Sequence, residues 1–110
     1  MRSVKLFRMD RMTTLQEILS QDPKNELARY GLALEYSHSG QLRRALEEFH
    51  QLIATNPDYT AAYFMAAQTL VKAERGDEAK LMLRNGIASA ERKRDMHARS
   101  EMQAMLDEIA

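Results

Sequence analysis

Cysteine and tryptophan are absent from this 110-residue chain, which also has only four glycines and two prolines. The lack of cysteine excludes a disulfide framework, a thiolate nucleophile and a cysteine-ligated metal, and a reducing cytoplasm is the expected compartment. Few helix breakers and little low-complexity sequence argue against disorder. Sixteen basic residues offset sixteen acidic ones, so there is no net charge to hold nucleic acid or an anionic membrane, and neither is expected as a partner. No apolar run approaches the roughly 20 residues that span a bilayer. The first eleven residues carry Arg2, Lys5, Arg8 and Arg11 against Asp10 alone, a faint likeness to a targeting segment, but no small-residue cleavage site follows an apolar core. A phosphate-binding glycine loop, a nucleophile elbow and the HExxH zinc motif are also missing, so catalysis, a cofactor and a metal are not expected.

What is present is an even mixture: 45% apolar and 29% charged residues, enough for one modest core and one domain. A shift of 34 places Pro23 on Pro57, Ala28 on Ala62, Ala33 on Ala67, Ala45 on Ala79, Ile53 on Ile87 and Ala54 on Ala88. A unit of that length with two apolar stripes of helical spacing is a pair of antiparallel helices. Neither pair can bury its faces alone, so the pairs stack.

Short polar or glycine-containing breaks divide the chain into about six helical segments. An N-terminal arm, residues 1–9, precedes a helix from about Asp10 to Ser20 with Met12, Leu15, Ile18 and Leu19 on one face, closed by Pro23. A helix from about Asn25 to Ser39 aligns Leu32, Ala33 and Tyr36 and stops at Gly40, suited to a left-handed cap. From about Gln41 to Thr55 the stripe is Ala45, Phe49, Leu52 and Ile53. The next pair repeats the plan, with Tyr63, Ala66, Ala67 and Leu70 on one helix, a turn at Gly76 with Asp77 as N-cap, and Ala79, Leu83 and Ile87 on the other. A last helix from about Asp95 carries Ala98, Met102, Met105 and Ile109. The predicted fold is all-α. Residues 10–110 form a single domain: a half repeat (10–23), two full repeats (24–57 and 58–91) and a capping helix (92–110).

These residues resemble the tetratricopeptide repeat, whose signature is an aromatic, then a Leu and a small residue, then an aromatic on the first helix, with an Ala, an aromatic and a closing Pro on the second. The first unit supplies Leu32, Ala33, Tyr36, Ala45, Phe49 and Pro57, and departs only at Arg29, which stands where a large aromatic is usual. The second supplies Tyr63, Ala67 and Ala79 but has Leu70, Leu83 and Glu91 at later signature positions. Leu15, Ile18, Leu19 and Pro23 align with Phe49, Leu52, Ile53 and Pro57, as the second half of a repeat. The resemblance implies a right-handed superhelical stack of antiparallel helix pairs and a role in binding another protein or a peptide.

With the core stripes facing inward, residues about 100° around each helix face the concave side. In the first unit these are Leu27, Tyr30, Leu34 and His38. In the second they are Ala61, Phe64, Gln68 and Lys72, with Met65 beside them and Met102 or Arg99 added from the last helix. Relatives that clasp a terminal carboxylate use Lys, Arg and Asn there. Tyr30, Leu34 and Met65 occupy this face instead, so an apolar helix or extended segment is the expected ligand. Four buried anchors at roughly 1.5–3 kcal/mol each, against association costs of about 4–15 kcal/mol, leave micromolar affinity as the tightest expected. The alternative is a structural homodimer that uses the same face or the arm residues Val4, Leu6 and Phe7.

Two Glu-x-x-His strings, Glu35 with His38 and Glu47 with His50, match a spacing used in di-iron bundles. Tyr36 and Phe49 claim the inward faces and are expected to turn these charges outward. Arg43 with Glu47 and Arg44 with Glu48 are expected to pair along a solvated outer face, and His97 to cap or cover the helix junction.

Overall fold

The structure is a computed structural model that describes the backbone of residues 2–109 and the side chains of residues 11–109. The described backbone forms six helices and no strand: α1 (Arg2–Gln21), α2 (Glu26–His38), α3 (Leu42–Thr55), α4 (Thr60–Lys72), α5 (Gly76–Arg92) and α6 (Met96–Ile109). Short connections make sequential helices antiparallel neighbours, and each helix packs against the next along the chain. Every second helix also touches, α2 with α4 and α4 with α6, so these three line one side of the stack. The stack is elongated. Its radius of gyration is 14.5 Å, against about 13 Å for a compact globule of this length.

The helical periodicity places the expected stripes inside. Leu32, Ala33, Tyr36, Ala45, Phe49, Leu52, Tyr63, Ala66, Ala67, Leu70, Ala79, Leu83 and Met102 are buried, while Ile53, Ile87, Ala98, Met105 and Ile109 are half-buried against them. In α1, Met12, Leu15 and Leu19 pack on the first core cluster, whereas Ile18, expected beside them, is exposed. The helix does not begin near Asp10, since its backbone is helical from Arg2. The proposed docking of Val4, Leu6 and Phe7 concerns side chains outside the described residues.

Helix ends explain two further departures. Asn25 caps α2 by accepting from the Ala28 amide at 2.9 Å, and Asp95 does the same for α6 through Ala98 at 3.0 Å. Gly40 takes the left-handed conformation, φ 83°, with the amides of Gly40 and Gln41 reaching back to Ser37 and Tyr36. One repeat later the same pattern falls on Glu74, φ 59°, with amides of Glu74 and Arg75 bonded to Val71 and Leu70. Gly76 is therefore not the turn but the first residue of α5. Asp77 is not its cap either, because it lies within the first turn of the helix, where its charge complements the dipole.

Polar contacts revise the expected charge pattern. Arg29 replaces the signature aromatic by reaching the same kind of acceptor: its guanidinium donates to the Pro23 carbonyl at 3.0 Å, as the Tyr63 hydroxyl donates to Pro57 at 2.6 Å. Its other nitrogen holds Glu48 at 2.6 Å. Glu48 is thereby paired across the repeat, and Arg44 lies over the Tyr36 ring instead. Glu35 does not turn outward: it is buried where α1 covers α2 and accepts from Arg11 at 2.8 Å. His38, Glu47 and His50 are exposed, so the Glu-x-x-His strings do not converge.

The tightest approach is at Gly86, where an added Cβ would sit 2.6 Å from the Tyr63 Cβ and 2.5 Å from the Met102 sulfur. Since the Tyr63 Cβ is fixed to its backbone, Gly86→Ala should force α5 from α4 and destabilise the fold by about 1–3 kcal/mol in urea unfolding. Glu74→Gly should raise stability by about 1 kcal/mol in the same assay, because it removes a side chain from a left-handed position.

Candidate partner-binding cleft

The row of α2, α4 and α6 encloses a cleft of about 240 Å³ lined by Tyr30, Thr60, Ala61, Phe64, Met65, Asp95, His97, Ala98, Glu101 and Met102. The size is below the ~300 Å³ at which small-molecule pockets usually begin and suits one bulky side chain. Tyr30 lines the cleft from α2. Its ring packs edge-on to Phe49 at 6.3 Å between centroids and tilted against Tyr59 at 5.4 Å, which fixes its orientation. Phe64 rests on the second core cluster and Met65 on the first. The wall of α4 is anchored below by the buried Thr69 hydroxyl, 3.0 Å from that of Ser37, and at its start by Thr60, 2.9 Å from the Ser89 hydroxyl.

Of the residues chosen from sequence, Tyr30, Ala61, Phe64 and Met65 meet in this cleft, and Met102 closes its base. Leu34, His38, Gln68 and Lys72 lie farther along α2 and α4 and do not line it. Leu34 is half-buried against the first core cluster, Gln68 is half-buried, and His38 and Lys72 are exposed. Leu27 is 73% exposed and outside the cleft. Arg99 turns away to hold Glu91 at 2.9 Å.

The α6 wall carries the residues that the sequence reading missed. The 34-residue shift applied once more takes Ala61 to Asp95, Phe64 to Ala98 and Gln68 to Met102, so the period itself held this signal. His97 and Glu101 correspond to the inward-facing Tyr63 and Ala67. On α6 that face is uncovered, so both are exposed, and His97 lies 3.6 Å from Glu101 at the edge of the cleft. Asp95 and Glu101 give the cleft two carboxylates, and no Lys or Arg lines it. Among the described residues no group of three His, Asp or Glu is placed to hold a metal, and no helix is long and apolar enough to cross a membrane.

The tetratricopeptide repeat family model matches residues 36–100. The chain belongs to the tetratricopeptide repeat family. Among solved structures it is similar to a tetratricopeptide repeat domain protein of Salinibacter ruber, at 30% identity over 80% of this chain and 89% of that one, TM-score 0.75. A protein of Bordetella parapertussis matches at 24% identity over 89% and 85%, TM-score 0.78. The type III secretion chaperone SycD of Yersinia enterocolitica, in complex with a peptide of the translocator YopD, matches at 17% identity over 98% and 83%, TM-score 0.84, a likeness of fold. No curated protein matches by sequence.

The tetratricopeptide fold here buries phenols in ways that shift their ionisation. Burial pushes Tyr30 above the usual value of 10.0, with Tyr59 beside it adding to the effect, and burial followed by the Glu26 carboxylate raises Tyr59. Burial also raises Tyr63, opposed by Arg92. A phenol kept neutral by the fold ionises more readily once unfolded. Its contribution is therefore complete below pH about 10 and lost as pH rises through the raised values. Chemical unfolding between pH 8 and 11 should show a level plateau and then a fall that is smaller in Tyr59→Phe.

Proposed function

We propose that this chain is a non-enzymatic, cytoplasmic protein-interaction module that takes an apolar side chain of a partner's peptide or helical segment into the cleft between α2, α4 and α6. The observation that carries this reading is the meeting of Tyr30, Ala61, Phe64 and Met65 over Met102 in a space sized for one anchor. Family membership supports it, as does the peptide complex of SycD, which shares the stacked-helix fold. Aromatic and thioether walls suit an anchor read by shape, and methionine repacks around different side chains. Leu27, Leu34, His38, Gln68 and Lys72 would contact the segment on either side of the anchor.

The test blocks the cleft from an exposed position. Ala61 is exposed and lines the cleft, so Ala61→Trp fills the space without entering the core. Peptides selected from a random display library on the wild-type chain should bind with micromolar affinity, and Ala61→Trp should weaken them at least about tenfold, or ~1.4 kcal/mol, with helix content by circular dichroism unchanged. Undiminished binding would place the site elsewhere.

A further inference from the structure

Charge distinguishes this cleft from a merely apolar one. Asp95 and Glu101 stand on its α6 wall, with no lining Lys or Arg to offset them. Of the nearby arginines, Arg92 is held by Asp58 at 2.8 Å and Arg99 by Glu91 at 2.9 Å, while Arg94, next to Asp95 in the chain, is exposed and does not line the cleft. Asp95 uses one oxygen as the cap of α6, accepting from Ala98 at 3.0 Å. An ionised carboxylate offers about four acceptor sites, so capping leaves it able to accept from a ligand. Glu101 is exposed, and its neighbour His97 pairs with it as an ion only when the imidazole is protonated.

We infer that the cleft selects a partner segment whose apolar anchor is flanked by arginine or lysine. This rests on the cleft being the binding site and adds the charge of what it takes. The apolar walls at Tyr30, Phe64 and Met65 hold the anchor, while the carboxylates at the α6 edge accept charge-assisted hydrogen bonds from the flanking cations. An acidic flank meets like charge there and is disfavoured. Because both carboxylates are exposed, the preference is electrostatic steering as much as contact and weakens with salt.

The experiment uses labelled ten-residue peptides with a central Leu-Phe pair, flanked on both sides by Arg, by Glu or by Ser. Binding is followed by fluorescence anisotropy at low and high salt, on the full chain, on Ala61→Trp and on the double variant Asp95→Asn, Glu101→Gln. Asn retains the capping oxygen of Asp95, so the double variant removes charge and leaves the helix start intact. At low salt the Arg-flanked peptide should bind about tenfold tighter than the Glu-flanked one. That ratio should shrink to about threefold or less in the double variant and at high salt. If Ala61→Trp weakens all three peptides but the Arg and Glu flanks bind alike, the charge inference falls and the cleft reading stands. If no peptide binds, or if Ala61→Trp changes none of them, both fall. A fourth peptide copying residues 1–11, whose Lys5, Leu6, Phe7 and Arg8 have this same chemistry, is measured beside light scattering of the wild-type and double-variant chains. Self-association that the double variant abolishes, with tight binding of that peptide, would make the occupant a second copy and overturn assignment to a separate partner.

Discussion

Between the helices of this stack many of the buried side chains are single methyl groups: Ala33, Ala45, Ala62, Ala66, Ala67, Ala79 and Ala90 have no exposed surface at all. Small residues at crossings let helix axes come close, and close packing leaves little room to slide or tilt. Gly86 takes this to its limit, where α5 lies against both Tyr63 of α4 and Met102 of α6 with no space for a methyl group. The relative placement of α4 and α6 follows from that contact, and so does the width of the cleft between them.

Larger residues then lock the angles set by the small ones. Phe49 is fully buried and also receives the edge of Tyr30, so one side chain organises the core of the first repeat and orients one wall of the cleft. Arg29 shows how the signature can be met with different chemistry. A guanidinium reaches the Pro23 carbonyl that the usual aromatic position addresses, and its second nitrogen bonds a carboxylate on α3. Its apolar stem can cover core surface while the head stays partly wet, which is why an arginine stands in for a tyrosine here. The buried Glu35 is a different matter. Its pairing with a largely exposed Arg11 offsets desolvation rather than adding much net stability, and it ties α1 to the repeat at one point.

Membership of a repeat family fixes an architecture and leaves the ligand open, because the same stacked helices serve many partners. In the reading proposed above, the ligand depends on side chains that line the cleft, among them Tyr30, Ala61, Asp95 and Glu101. Their combination is unlike the Lys, Arg and Asn set with which other members clasp a terminal carboxylate.

The 34-residue period, the alanine positions and the aromatic stripes by themselves determined the fold, since helical spacing dictates which faces must be buried and short loops dictate which helices are neighbours. Tyr30, Ala61, Phe64 and Met65 were legible for the same reason: they recur at fixed angles from the core stripe. Only the tertiary structure decided where along those helices an opening exists, how α6 completes it with Asp95, His97 and Glu101, and that Leu34 lies half-buried on the core outside that opening. It also decided that Glu74 rather than Gly76 bears the left-handed turn and that Glu35 lies inside. Periodicity gives the direction in which a side chain points. What it meets there depends on the distance to the next helix, which is set by contacts such as Gly86 with Tyr63, between residues far apart in the chain.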